Sequence, residues 1–258
     1  MENDCIKFIL HFYFTKFGEK YNMALPFFYK EDIDSAAKEM VLDEDTSKHI
    51  VQVLRMQHGE QLQLTNGKGS LITAAITDNN RKRCIVTVIQ KSTIQNQQSK
   101  ISIAVSLLKN TNRFEWFLEK ATEIGVAEII PLLCSRTEKQ NFKAERLQTI
   151  LVSAMLQSQQ CWLPVLHEPV KYKTFVEQNN IQQKFIAHCE EEKEKVQLTA
   201  TPLNFSTSKL ILIGPEGDFT KEEIELALKN KFTPVSLGNT RLRTETAGIV
   251  AATLLVQF

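Results

Sequence analysis

Ile101-Ser-Ile-Ala-Val-Ser-Leu-Leu108, running straight into Lys109-Asn-Thr-Asn-Arg113-Phe-Glu-Trp-Phe-Leu-Glu-Lys-Ala-Thr-Glu-Ile-Gly125, is the stretch from which the fold is read. The first segment is almost continuously apolar, as a strand buried on both faces requires. The second carries Phe114, Phe117, Leu118, Ala121 and Ile124 on one helical stripe, and Gly125 stands where a left-handed cap ends a helix. A buried strand followed at once by an amphipathic helix is the building unit of an α/β domain with a largely parallel sheet. Downstream the alternation continues. Val126–Cys134 reads as a strand, Ala144–Gln159 as a helix, and Lys184–Cys189 and Leu210–Ile213 as strands. Thr220–Asn230 is a helix opened by a capping box of Thr220 and Glu223, Val235–Leu237 is a strand, and Thr244–Val256 is the closing helix.

Upstream the rhythm is different. From Pro26 to about Ser92 the chain reads as short strands, with one helix over Asp43–Met56. Gln61–Thr65 and Leu71–Thr77 form a hairpin across Asn66-Gly67-Lys68-Gly69, and Cys84–Ile89 alternates as a further strand. Residues 23–92 are therefore expected to form a small β-barrel, 93–100 (TIQNQQSK) a linker and 101–258 the α/β domain. Met23 offers a second plausible start, and residues 1–22 are expected to form an extension outside the fold.

Bulk properties exclude several classes. At 258 residues there is room for one large domain or two small ones. A net charge of +1 gives no general support to a nucleic-acid partner, so any basic surface must be local. The five cysteines are scattered, odd in number and without metal-ligand spacing, so reduced thiols, a cytoplasmic location and no metal site are expected. No stretch is long and apolar enough for a membrane span.

Ligands of open parallel sheets bind beyond the carboxyl ends of strands. Two such ends here are unusual: Ile213-Gly214-Pro215-Glu216-Gly217-Asp218, and Leu237-Gly238-Asn239-Thr240-Arg241-Leu242-Arg243-Thr244-Glu245-Thr246-Ala247. Glycines let a ligand approach the backbone, helix starts favour anions, and Arg241 and Arg243 add cationic donors. The bland reading is an ordinary turn followed by helix-capping charge. No dinucleotide or P-loop fingerprint occurs at these turns. A third cluster, Lys109 to Trp116, offers Lys109 and Arg113 to phosphate, or else is a solvated helix start with Trp116 packed in the core. Arg81-Lys82-Arg83 reads as a solvated loop, His49 as structural and Cys161 as a free buried thiol.

These segments resemble the RsmE family, bacterial 16S ribosomal RNA uridine-N3 methyltransferases of the SPOUT class. The resemblance runs from about Met23 to Phe258. It rests on His49-Ile-Val-Gln-Val-Leu-Arg55-Met with Gly59, on Lys109–Trp116 with Lys120-Ala-Thr-Glu-Ile-Gly125-Val126, on Leu212-Ile-Gly-Pro-Glu-Gly217, and on Leu237-Gly238 through Arg243-Thr-Glu-Thr-Ala247. The chain departs from the family where Asp218 replaces a second glycine, where Arg241-Leu242-Arg243 replaces isoleucine-leucine-arginine, and where Gln159 or Gln160 stands for an arginine after Gln157-Ser158.

The resemblance implies a PUA-like barrel that docks RNA and a SPOUT-like domain containing a trefoil knot. It further implies S-adenosylmethionine as cofactor, a homodimer, and 16S ribosomal RNA, within the small ribosomal subunit, as substrate. Leu212, Ile213, Gly214, Pro215, Glu216, Gly217, Leu237, Gly238, Leu242, Arg243 and Thr246 would hold the cofactor. Arg243 would stabilise charge developing on uracil, with Glu216 or Glu245 as proton acceptor, and Arg55, Lys109, Arg113, Arg136 and Arg241 would contact RNA. The alternatives are a non-catalytic RNA-binding module, or a SPOUT methyltransferase acting on another RNA.

Overall fold

The computed structural model describes residues 25–34, 36–94, 100–138, 141–190, 195–204 and 207–257. The expected extension 1–22 and most of the linker, 95–99, lie outside the described residues. The chain divides into two compact units. One takes the described residues up to Phe28, Ala36–Leu64 and Ile72–Gln90; the other takes Tyr29–Ser35, Thr65–Leu71 and Lys91–Phe258.

The N-terminal sheet has five strands, β1 (Phe27–Tyr29), β2 (Glu39–Val41), β3 (Gln61–Thr65), β4 (Ser70–Asp78) and β5 (Ile85–Thr93), in the order β1-β3-β4-β5-β2. The hairpin and the alternating third strand are as the sequence pattern requires. The closed barrel is not: β1 and β2 stand at opposite edges, and the sheet is a curled half-barrel. Both edge strands span three residues, too little to pair across the gap. The single expected helix also divides. α1 (Glu44–Lys48), capped by Asp43, passes into a π-helical turn, His49–Val53, and Arg55 leaves it in the left-handed region at φ 55°. His49 lies edge-on to Phe28 with ring centroids 5.8 Å apart, a packing role.

The larger unit is a parallel sheet of eight strands. They are β6 (Ile101–Ser106), β7 (Glu128–Leu133), β8 (Val165–Leu166), β9 (Val170–Lys171), β10 (Gln183–Ala187), β11 (Val196–Gln197), β12 (Lys209–Ile213) and β13 (Thr233–Ser236). Their order is β11-β13-β10-β12-β6-β7-β8, with β9 also paired to β7. Every residue of β6 and of β12 is buried, which is why those segments show no alternation in the sequence. Successive side chains still feed opposite faces. Ile101, Ile103, Val105, Ile211 and Ile213 pack under α2 (Thr111–Ile124), α3 (Ala144–Gln157) and α6 (Thr244–Gln257). Ala104, Leu210 and Leu212 pack under α4 (Tyr172–Gln178) and α5 (Lys221–Lys229). Helices on both faces of a parallel sheet make a three-layer α/β unit.

Local signals set the helix ends. Gly125 closes α2 at φ 95°, a conformation in which a side chain would be strained. Thr220 and Glu223 form both halves of the expected capping box. α3 stops at Gln157, two residues short of the expected end, because Gln159 turns out at φ 54°. Gln160 then donates from Nε2 to the carbonyls of Thr122 and Glu123 at 3.0 and 2.9 Å, supplying donors to the end of α2.

Candidate functional site

The carboxyl ends of β10, β12 and β13 open on the same side of the sheet, and the chain following each one turns into a loop. After β12, Gly214-Pro215-Glu216-Gly217-Asp218 folds tightly, with the amide of Asp218 donating to Pro215 O at 2.9 Å. Asp218 sits at φ 63°, the conformation in which glycine is at home. Its carboxylate offsets the strain: Oδ1 accepts from its neighbour Phe219 N and Oδ2 from Cys189 N, both at 2.8 Å. The residue that departs from the family pattern thus keeps the turn and ties the β12 loop to the β10 loop.

After β13, Ser236 donates its hydroxyl to Gly238 O at 2.9 Å, and Gly238 takes φ 144° with open space where a Cβ would stand. The chain then enters α6, where Thr244 donates from Oγ1 to Gly214 O at 2.9 Å. That bond fastens the last loop to the β12 loop from within. Around these fastenings lies a cavity of about 620 Å³, within the range of small-molecule sites. Ile213, Val235, Leu237, Leu242 and Ala247 give it apolar wall, and Gly214, Pro215 and Gly238 bring backbone polar groups to it. An apolar slot edged with backbone amides and carbonyls could hold the adenosine part of S-adenosylmethionine, and Arg243 and Lys195 on the rim could meet its carboxylate.

The sequence-derived candidates distribute as follows. Ile213, Gly214, Pro215, Glu216, Leu237, Gly238, Arg241, Leu242 and Arg243 all line the cavity. Leu212 points into the opposite core instead, because it is one residue out of phase with Ile213 along β12. Gly217 and Thr246 are not on the lining. Glu245 is buried at the start of α6, 3.6 Å from Arg113 Nε, and Arg113 Nη1 donates to Glu216 Oε1 at 3.0 Å.

The cations expected at RNA are mostly engaged within the chain. Lys109 pairs with Glu138 at 2.6 Å, which raises its ammonium above the usual lysine range. Arg136 Nη1 donates to Gly217 O at 2.5 Å. Arg241 is exposed at the cavity, and Arg55 is exposed in the small unit. Trp116 is 43% exposed, not packed in the core as one reading had it, because α2 turns Phe114, Phe117 and Leu118 inward and leaves that flank outside.

Sequence reasoning missed His188, Cys189 and Lys195, which line the cavity from the β10 end. Nothing in their local pattern marks them, since only the strand order brings β10 beside β12. Burial pushes the Cys189 thiol up, Asp218 adding to the effect and Arg241 and Lys195 opposing it, so this exposed cysteine is no activated nucleophile. Among the described residues no group of acidic, histidine or cysteine side chains could hold a metal ion. Among the same residues no helix is long and apolar enough to cross a membrane.

Comparison with known proteins gives consistent neighbours. A family model described as an RNA methyltransferase domain matches residues 95–256, and one described as an RNA methyltransferase PUA domain matches residues 42–89. The ribosomal RNA small subunit methyltransferase E of Rickettsia conorii is 30% identical over 213 residues, 81% of this chain and 86% of that protein. A probable rRNA-methyltransferase from Porphyromonas gingivalis superposes with a TM-score of 0.82 at 40% identity, over 88% of this chain and 95% of that one. The ribosomal RNA small subunit methyltransferase E of Neisseria gonorrhoeae, solved bound to S-adenosyl methionine, superposes with a TM-score of 0.77 at 27% identity, over 88% and 95% of the two chains.

Proposed function

The chain belongs to the ribosomal RNA small subunit methyltransferase E family, and on that footing we propose that it transfers a methyl group from S-adenosylmethionine to N3 of a uridine in 16S ribosomal RNA. The observation that carries this reading is the meeting of three strand-end loops on one cavity, with Arg243 on its lining. The rival reading, a non-catalytic RNA-binding module, requires degenerate loops; here Asp218 and Thr244 hold them in a defined geometry.

S-adenosylmethionine, when bound, supplies an electrophilic methyl group on a sulfonium. The rest of the chemistry belongs to the protein. Ile213, Val235, Leu237 and Leu242 would exclude water from the adenosine, and backbone groups of Gly214, Pro215 and Gly238 would orient it. Neutral uracil carries a proton on N3 that must leave before or during attack, and the charge then spreads to the flanking carbonyl oxygens. Arg243, on the cavity lining, would stabilise that charge. Glu216 and Glu245 are the candidate acceptors for the proton. Arg241 and Arg55, exposed, are the stronger candidates for RNA phosphate, ahead of Lys109 and Arg136. The target base lies in folded RNA and has to be splayed out to reach the cavity.

The finer architecture follows the same reading. Residues 23–92 would dock RNA, 93–100 would link, and 101–258 would bind cofactor and catalyse. A trefoil knot in the second part belongs to the same proposal and rests on the family resemblance. Homodimer formation, action within the small ribosomal subunit and a cytoplasmic location belong to the same proposal. Arg243→Ala tests its chemical core. It should weaken cofactor binding, because Arg243 also faces the cofactor's carboxylate, and at saturating cofactor it should slow methyl transfer by roughly 100-fold or more, the usual loss for one charge-stabilising donor. Transfer at the wild-type rate would remove Arg243 from the mechanism.

A further inference from the structure

Three carboxylates stand at or near the cavity, and their surroundings differ. Asp218 lines it, but Oδ1 accepts from Phe219 N and Oδ2 from Cys189 N, so both oxygens are engaged in holding two loops together. Glu245 is 8% exposed, its Oε2 is buried, and it is not on the lining. Glu216 lines the cavity and is 37% exposed. Its Oε1 accepts a charge-assisted hydrogen bond from Arg113 Nη1 at 3.0 Å. Among the described residues its Oε2 accepts none. One oxygen of Glu216 is therefore fixed and the other uncommitted. Arg243 lines the same cavity, so a cationic donor and a carboxylate with spare acceptor capacity open on one space. A base splayed out of its RNA has to enter that space to meet the methyl group, and the group that takes its proton has to stand on the lining.

Resting on the reading that the chain methylates N3 of a uridine, we propose that Glu216, and not Glu245, accepts the N3 proton, at Oε2, and that Arg113 is the positioning residue that fixes its carboxylate. The N3–H bond breaks as an O–H bond forms at Oε2. The electron pair left on N3 forms the new bond to the methyl carbon, and the electrons of the broken carbon–sulfur bond stay with sulfur. Glu216 is open enough to water to pass the proton on after turnover, whereas a proton on Glu245 Oε2 would be enclosed. The hydrogen bond from Arg113 holds Oε1 and so limits the rotation of the carboxylate, which a general base needs in order to meet one proton in one place.

The test uses Glu216→Gln, Glu245→Gln, Arg113→Gln and the double variant Arg113→Gln/Glu216→Gln, in the full chain. Single-turnover methyl transfer is read at saturating S-adenosylmethionine, as a function of pH, on 16S RNA transcribed with uridine or with 5-fluorouridine. Fluorine makes N3 more acidic, and rising pH removes its proton without help, so either change relieves the need for a base. Glutamine can still accept from Arg113, so Glu216→Gln keeps the fastening and loses the base. It should lose roughly 100-fold or more at neutral pH on the uridine RNA. The loss should shrink as pH rises, and shrink again on the fluorinated RNA, which no structural defect would produce. Arg113→Gln should lose rate as well, and the double variant should be no slower than Glu216→Gln alone. If Glu216→Gln does not fold, Glu216→Ala takes its place with the same expected recovery. A wild-type rate in the Glu216 variant, or a loss equal at every pH and on both RNAs, overturns the acceptor role. Recovery in Glu245→Gln and not in Glu216→Gln transfers that role to Glu245. Losses of Arg113→Gln and Glu216→Gln that multiply in the double variant overturn the positioning role of Arg113. A wild-type protein that binds cofactor and makes no 3-methyluridine defeats the underlying reading, whereas an active wild type with an equally active Glu216→Gln defeats this inference alone.

Discussion

Asp218 shows how one backbone conformation can govern a site. It occupies the left-handed region and uses both carboxylate oxygens to hold its loop and the end of β10. Asp218→Gly removes the two hydrogen bonds and keeps the turn; Asp218→Ala removes them and adds a left-handed penalty of about 1–2 kcal/mol. The alanine variant should therefore be the less stable of the two by about that amount in urea unfolding, and equal stabilities would contradict the account. As a letter in the chain Asp218 was legible only as a missing glycine; its partner Cys189 lies twenty-nine positions away and could not be read. Cys134 gives a second prediction at this scale. Burial pushes its thiol from an ordinary value of 9.0 up to about 12, with Glu223 adding to the effect. Above its ordinary value the unfolded chain releases this proton and the folded chain does not, so stability is level below about pH 9 and falls as pH rises toward about 12. Tyr172, buried and raised for the same reasons, acts in the same direction. A urea midpoint that is unchanged between about pH 8 and about pH 10 would contradict this.

Helices and their packing were the most legible part of the sequence, and their long-range fastenings the least. The stripe Phe114, Phe117, Leu118 and Ala121 gave α2, and Thr220 with Glu223 gave the start of α5, because both signals are local. α4 was missed: at seven residues it shows only Tyr172, Phe175 and Val176 on one face, too short a pattern to separate a helix from a loop. Glu223 closes the capping box with Oε2 and also accepts from Ser135 N at 2.8 Å, which fixes the loop that carries Arg136 to Gly217. Glu223→Ala should cost about 1–2 kcal/mol, the upper part of the range for a lost cap, and should also loosen the Arg136 loop. Hydrogen exchange at Ser135 that stays slow in that variant would refute the second half. Gly248 marks a close approach: a Cβ there would stand 2.5 Å from Phe117, whose ring is fully buried between α2 and α6. Gly248→Ala gains about 1 kcal/mol of helix propensity. Overpacking of about 1–3 kcal/mol should win, and the variant should unfold at lower denaturant.

At the scale of the whole molecule the mixed α/β class was legible in the sequence, and the strand order was not. Periodicity cannot say that β12 lies between β10 and β6, and with that order came the cavity and the residues His188, Cys189 and Lys195. The near-neutral charge of +1 has a counterpart in the fold: Lys109, Arg113 and Arg136 are all engaged with other groups of the chain. RNA affinity should accordingly depend on few phosphate contacts. Arg241→Ala should weaken binding across sequences and lower the salt slope by about 1, and Arg136→Ala should leave the slope unchanged while weakening cofactor binding. The central claim concerns what the whole molecule does, and it is tested most directly by the product. Radiolabelled S-adenosylmethionine should be incubated with this protein and with 30S subunits or naked 16S RNA from cells lacking the enzyme, and the RNA digested to nucleosides. Label recovered as 3-methyluridine is the predicted result; label in another nucleoside, or none on either RNA from a protein that still binds the cofactor, would contradict it.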